Sequence, residues 1–413
     1  MTEKSETFMD QDIIICGAGP VGLTLALCLS QIDVKATVLC REKAPAGAAD
    51  FDGRAYSISS GCWNVWKAIG CAEDLSEYCQ PINRVEAEAA AFSPIRFGSD
   101  ELENPDENLG YMIESRHILN VLWRKAKASD HIFIQEECQI NDIRLSDTGA
   151  SVFADGSEQS ITAPLLVGCD GKHSRTRQSI GAGFPGHDYD AKGLVASVKL
   201  TTPHQGVARQ VFLSTGPFAI LPLQDNCANL VWTERAQVAD VLANMDEADF
   251  AEELAERVGD FLGKFELIGP RFAYPLTMRV ADRFVGTRAV LAGDAAHVIH
   301  PLAGQGLNLG LKDVATLAEI IADTISTGGD IGGAVALERY DSLRRPDVTS
   351  MAVGMDVLDK LFKGPKLLRG AAGMGMSFLE RSPAIKSVFT KRASSVSDNS
   401  VPCLMRGEAL SLG

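Results

Sequence analysis

The stretch "DIIICGAGPVGLTLALCLSQIDVKATVLC", residues 12–40, decides the fold. It opens with DIIIC, a short apolar run suited to a parallel strand covered on both faces. Gly17, Ala18, Gly19, Pro20, Val21 and Gly22 follow, then the helical run LTLALCLSQ and a second strand-like run, VKATVLC. Strand, glycine turn, helix and strand within about thirty residues is the βαβ unit that binds dinucleotides. Gly17 permits the tight turn, Gly19 lets a pyrophosphate approach the backbone, and Gly22 lets helix and strand pack closely. The helix start offers free N–H groups and a positive dipole to the phosphates. An acid for the ribose hydroxyls is expected about twenty residues further on. That place is occupied by Cys40, with Arg41 next and Glu42 two residues later. Either Glu42 reaches back to the ribose or another group holds it.

Composition narrows the choices. A chain of 413 residues suggests more than one domain, and 46% hydrophobic with 23% charged residues is ordinary for a globular protein. The formal net charge of -15 argues against nucleic acid, whose binding rests on Lys/Arg contacts to phosphate. Ten cysteines are scattered with no CxxC pair, which reads as buried free thiols in a reducing compartment rather than a zinc site. Residues 13–30 are apolar enough to pass for a signal peptide or a membrane span. The segment before them, MTEKSETFMDQD, is acidic where a secretory leader is basic, and the run is short for a span. The expected location is the cytoplasm.

Two later segments repeat the design of a strand with an acid at its end. PLLVGCD, residues 164–170, ends in Asp170 and Gly171, with Ser174, Arg175 and Arg177 close behind; RAVLAGD, residues 288–294, ends in Gly293 and Asp294. Ligands of open α/β sheets bind at the carboxyl ends of strands, so three such ends imply a long cofactor. Beyond Asp294 runs AAHVIHPLAGQGLNLGLKDVATLAEII, which predicts a helix from about Leu307 to Ile321. His297 and His300 beside an aspartate suggest a metal site or a hydrolase. No third ligand stands nearby and no GxSxG elbow occurs, so both are read as packing or hydrogen-bonding residues and no metal is expected.

These motifs resemble the group A FAD-dependent aromatic monooxygenases of the p-hydroxybenzoate hydroxylase fold, and within them the ubiquinone-biosynthesis hydroxylases. The family shows GxGxxG, then DxRA (Asp52 to Ala55), then Asp170-Gly171, then GDAAHxxHPxAGQGxNLGxxD, matched from Gly293 to Asp313. GPFAILPL (216–223) and LVWTE (230–234) also look like that subfamily. The resemblance implies FAD as cofactor and assigns roles by position. Asp294 would bond a ribityl hydroxyl and Pro301 would pack beside the flavin ring. Backbone amides at Gly304, Gln305, Gly306 and Leu307, with Asn308 behind them, would face the pyrimidine edge, where a helix dipole steadies negative charge. Arg54 and Arg116 would lie along the cofactor. Asp170 would serve FAD and, indirectly, NAD(P)H.

The implied reaction is hydroxylation of a polyprenylated phenol by FAD, NAD(P)H and O2, through a C4a-hydroperoxide of the reduced flavin. Two other readings stand beside it: a non-catalytic FAD-binding member of a biosynthetic complex, and a hydroxylase of a soluble phenol. A halogenase is disfavoured, since Trp63 and Trp66 are not followed by Ile-Pro.

The expected architecture is α/β: a GxGxxG FAD-binding Rossmann-like domain, an inserted α+β substrate domain and a C-terminal helical segment. The flavin domain is drawn from 1–80, 105–182 and 276–350, and the substrate domain from 81–104 and 183–275. The acidic run 234–260 is read as a solvated helical face. Residues 351–392 are expected to be helical and 393–413 disordered. Between Lys360 and Arg392 eight basic residues face one acid, Glu380, among interleaved apolar residues. Such a segment suits an anionic membrane face or a partner in a biosynthetic complex. An oligomer is compatible with the sequence.

Overall fold

Ile13–Cys16 is a fully buried strand at the heart of a six-stranded sheet. In this computed structural model the described residues are 11–45, 53–89, 94–99, 108–155, 160–213, 215–258, 262–299, 304–364 and 401–412. Asp52, His300, Pro301 and the basic run from 365 onward lie outside them.

The sheet runs in the order Val285–Gly286, Ala289–Leu291, Leu165–Gly168, Ile13–Cys16, Ala36–Leu39, Ile132–Gln135, parallel except for the first pair. The three strands picked out by motif are therefore neighbours, with Ile13 opposite Leu165 and Leu166 opposite Ala289. Their carboxyl ends lie along one edge. Alternation decides what covers each face. Ile13 and Ile15 turn toward the helices Pro20–Ser30 and Gln305–Ser326, while Ile14 and Cys16 turn toward the meander Ile140–Ser146, Gly149–Ala154, Ser160–Ala163.

A second sheet of eight strands carries the other half of the molecule. Its order is His297–Val298, Phe265–Val280, Gly186–Leu200, Cys227–Arg235, Pro217–Leu223, Val207–Phe212, Arg84–Ala89, Ile95–Gly98. Phe218, Ile220, Leu230 and Trp232 face outward and are covered by two helices, Ala236–Asn244 and Glu247–Val258, through Leu242, Phe250 and Leu254. The acidic run thus forms two helices, each with one apolar stripe inward. They part at Asp246, whose carboxylate accepts from Ala248 N at 3.0 Å. The two sheets meet at the third motif, where Val298 pairs with Arg279 and Ala281 N donates to Ala296 O at 2.8 Å.

The C-terminal part departs from expectation in three ways. One helix, Ala334–Lys363, runs without a break across position 350. Within it Lys360 and Lys363 pair with Asp356 and Asp359 one turn back, at 2.6 and 2.8 Å, and Lys363 also lies over the Tyr189 ring. Two of the eight cations are therefore neutralised by acids just upstream of the window in which they were counted. Residues 401–412, expected to be disordered, hold a short helix, Cys403–Arg406. Its Leu404 and Met405 are buried in the main core against Ser60–Ala68 and Gln305–Ser326, so apolar burial offsets the cost of ordering them.

Candidate active site

At the end of the first strand Gly17 has φ 109°, a region open to glycine and little else. A Cβ there would sit 2.3 Å from Cys169 O, and one on Gly22 would sit 2.0 Å from Gly17 O. Both glycines are needed for the chain to pack on itself. Gly19 differs: a Cβ would meet nothing within 4 Å, because the residue opens into a cleft. The helix Pro20–Ser30 starts here with no side-chain cap and no acid in its first turn, so its N–H groups remain for a ligand.

The cleft has a volume of about 510 Å³. Gly17, Gly19, Cys40, Arg41, Glu42, Arg54 and Asp170 all line it. Cys40 is buried and its thiol donates to Glu42 O at 3.2 Å; burial pushes the thiol up to about 12. It cannot replace a ribose-binding carboxylate, whereas Arg41 and Glu42 stand exposed on the rim, 3.8 Å apart. Asp170 is committed to the fold, accepting from Ser174 Oγ at 2.5 Å and from the backbone N–H groups of Arg175 and Thr176 at 2.8 and 3.1 Å. Arg116 is paired with Glu114 at 2.6 Å and is not part of the lining, although its helix contributes Ser115 and Leu119. Trp123, Cys138, Ile140 and Arg175 are also part of the wall. Only Arg175 carried a signal in the sequence, by following Asp170-Gly171. Arg177 ties two strand ends together, donating to Ala295 O at 2.9 Å and to Lys172 O at 2.7 Å.

Asp294 sits in the turn Gly293–Ala295. No described residue hydrogen-bonds it, and its side chain is open to solvent. Burial of the recess around it raises its carboxyl above the ordinary value, against the pull of His297, Lys172 and Arg54. The turn itself is held from behind by Asp313, which is fully buried. Its Oδ2 accepts from Gly293 N at 2.9 Å and lies 2.6 Å from His297 Nε2, while its Oδ1 accepts from Arg344 Nε at 2.7 Å. Arg344 continues to Asp347 at 2.5 Å, which also meets Lys312 at 3.0 Å. Burial would push the Asp313 carboxyl up, but His297 and Arg344 outweigh it and hold it below the usual range. An ionised carboxylate only accepts, so His297 Nε2 carries the proton. His297 is thus a hydrogen-bonding core residue, as the sequence suggested. Arg344, thirty-one positions beyond Asp313, gave no sign of its part.

The helix Gln305–Ser326 begins at Gly304, which adopts the left-handed conformation (φ 65°, ψ 26°) and provides no side-chain cap. Asn308 is fully used by protein: its Oδ1 accepts from Ser59 N at 2.9 Å, and its Nδ2 donates to Ser57 O at 2.7 Å and Gly304 O at 3.1 Å. It fastens the strand Ala55–Ser59 to the helix start rather than offering groups to a ligand. Gly304, Gly306 and Leu307 border a second cavity of about 210 Å³. Its far wall is Gln210, Pro217, Ala219, Leu221, Val231 and Thr233 from the eight-stranded sheet, with Ile299 closing one side. Tyr56 lines both cavities, so the cleft and the ring-sized cavity adjoin at one strand.

This arrangement fits FAD. The open backbone at Gly19 and the uncapped first helix suit a pyrophosphate, the unpaired Asp294 suits a polyol chain, and the uncapped helix start at Gly304 borders space for a flat ring. Comparison with known proteins agrees. The family described as FAD binding domain matches residues 10–353. Ubiquinone hydroxylase UbiL of Rhodospirillum rubrum is 36% identical over 389 residues, covering 92% of this chain and 89% of the relative. The 3-demethoxyubiquinol 3-hydroxylase of Escherichia coli is 32% identical, covering 92% and 98%. In fold, the crystal structure of p-nitrophenol 4-monooxygenase PnpA from Pseudomonas putida matches with a TM-score of 0.76 at 20% identity, over 93% of this chain and 97% of that one. The chain belongs to the FAD-binding-domain family and, within it, to the FAD-dependent aromatic monooxygenases of the ubiquinone-hydroxylase group.

Proposed function

We propose that the protein hydroxylates the ring of a polyprenylated phenol in ubiquinone biosynthesis, with NAD(P)H and O2 as co-substrates. The observation that carries this reading is the small, mainly apolar cavity pressed between the Gly304 helix start and the inner face of the eight-stranded sheet. FAD, when bound, supplies the redox chemistry: it accepts hydride and transfers one atom of O2 to an electron-rich ring carbon. The chain supplies position, charge and dryness. Amides at Gln305, Gly306 and Leu307 present the positive end of a long helix to the ring system. Ala219, Leu221, Val231 and Ile299 exclude water from the reacting face. Among the described lining residues there is no carboxylate, imidazole or amine; Tyr56, Ser57, Gln210 and Thr233 are the polar side chains. These can orient a phenol by hydrogen bonds. Asp294 holds the ribityl chain, and Arg54 stands on the cofactor side. Among the described residues no helix is long and apolar enough to cross a membrane. A lipid-soluble substrate would be met at a cytoplasmic membrane face or through a partner.

The test is NAD(P)H-dependent O2 uptake by the FAD-loaded protein, with and without a short-tailed prenyl phenol, with the product identified by its gain of one oxygen. No NAD(P)H-dependent uptake with any phenol, together with an unchanged quinone profile when the protein is removed, would favour the non-catalytic FAD-binding reading.

A further inference from the structure

The helix Ala334–Lys363 has an unusual outer side. Its inner side packs through Tyr340, Arg344, Val348, Ala352, Asp359 and Phe362, all buried. On the opposite side Val335 is 85% exposed, Leu343 51%, Val353 54% and Val357 55%. Spacings of eight, ten and four residues keep Val335, Leu343, Val353 and Val357 on one stripe of a 3.6-residue helix. Arg339 is the one charged residue on that stripe. From Val335 to Val357 the stripe is about 33 Å long. A helix on the surface of a globular protein normally turns its charged face to water, and exposed apolar patches of this extent mark contact surfaces.

We infer that this stripe is the surface by which the protein lies on a lipid bilayer, with the helix parallel to the membrane plane. Two observations choose lipid over another occupant. First, the last turn of the helix stands at the rim of the ring cavity. Phe362 stacks on Phe212 at 3.7 Å, two residues along the strand from the cavity-lining Gln210. Lys363 reaches Gly216, beside the lining residue Pro217. A helix resting on a bilayer would bring that rim to the lipid in which a polyprenyl tail partitions; this step rests on the proposed substrate. Second, the chain that follows in sequence, from Lys366 to Arg392, carries six cations and one acid in a protein of net charge -15. That local charge suits anionic headgroups. On the helix itself Lys360 is met by Asp356 and Arg345 by Asp341. The contact made by the stripe is therefore apolar and withstands salt, while any anionic preference belongs to the sequence beyond it.

The test is flotation of full-length, FAD-loaded protein with vesicles of phosphatidylcholine alone and of phosphatidylcholine with phosphatidylglycerol, at low and high salt. Wild type is expected to float with both and to keep most of its binding at high salt. Val353→Asp and Val357→Asp should each weaken partition about tenfold, with melting temperature and flavin content unchanged. Val241→Asp, at an exposed valine on the helix Ala236–Asn244, should bind as wild type. Wild type that stays in solution with every vesicle, or Asp variants that float as well as wild type, overturns the inference. So does a fall in melting temperature in those variants, which would mean that the chain itself covers the stripe, or a loss of oligomer size, which would mean that a second copy does. The same preparations are given a soluble short-tailed phenol. Hydroxylation without flotation sinks the membrane surface alone, whereas flotation that depends on Val353 and Val357 without hydroxylation of any phenol sinks the proposed substrate and leaves the membrane surface standing.

Discussion

Replacing Asp313 by asparagine should loosen the cofactor site from behind without touching its surface. The carboxylate accepts from Gly293 N, His297 Nε2 and Arg344 Nε, all in a fully buried setting. An asparagine keeps the shape but brings one NH2 group. Whichever way the amide turns, that group faces a donor: Arg344 on one side, Gly293 and His297 on the other. Arg344 is left as a buried cation held by Asp347 alone among the carboxylates. Breaking one side of a buried pair costs about 3–5 kcal/mol. Unfolding entropy of about 2.1 cal/mol/K per residue gives roughly 0.9 kcal/mol/K for this chain, so the melting temperature of the FAD-free protein should fall by about 3–6 °C. Removing the orphaned cation as well, in Asp313→Asn/Arg344→Met, should cost less than the two single changes added together. The pH dependence has a definite sign. The folded carboxyl is depressed, so its contribution is full above the unfolded value of about 4 and is lost as pH falls through the folded value. The gap between wild type and Asp313→Asn should accordingly be widest above about pH 5 and close in acid. Because Gly293 loses its anchor, FAD affinity should also fall, measured by recovery of flavin fluorescence on release. An Asp313→Asn protein that melts with wild type and holds FAD as tightly would refute the claim that this network carries the turn.

Other substitutions separate building the site from using it. Gly19→Val should leave the melting temperature of the FAD-free protein unchanged, since its side chain enters open cleft, yet abolish FAD retention; Gly22→Ala should destabilise the fold itself by contact with Gly17 O. Asp294→Ala should weaken FAD binding by about 1–3 kcal/mol, read by titration, while the FAD-free protein melts as wild type. Arg54→Ala should slow flavin reduction in stopped flow or weaken FAD with stability nearly unchanged, and wild-type rates would return Arg54 to the surface.

What could be read in the sequence follows from what each residue depends on. The glycine loop and the Gly293–Asp313 motif were legible because their demands are local: a turn, a close approach, an uncapped helix start. The neighbourhood of Asp294 was not. Arg344 reaches Asp313 across two helices, and Trp123, Cys138 and Ile140 join the cleft only once the first sheet has formed. Asn308 sits in a motif that suggests cofactor contact, but its amide is consumed by Ser57, Ser59 and Gly304. Lys360 and Lys363 looked basic until the acids one turn back were included. The final residues looked like a loose tail because Leu404 and Met405 are too short a run to reveal a core contact 341 positions from its partner Asn64.

The contact between Val21 and Gly310 has a consequence for how the enzyme is made. A Cβ at Gly310 would lie 2.8 Å from the valine side chain and 3.3 Å from Gly293, so the beginning and the last third of the flavin site interlock. The strand Ile13–Cys16 cannot complete its sheet until Leu165–Gly168 and then Ala289–Leu291 have emerged from the ribosome. At about 5–20 residues per second, the glycine loop waits roughly 15–55 s for its partner motif. Throughout that time the Ile13 and Ile15 face lacks the helix Gln305–Ser326 that helps to cover it. The flavin site therefore cannot assemble until the last third of the chain has brought Gly293 and Gly310 to the glycine loop.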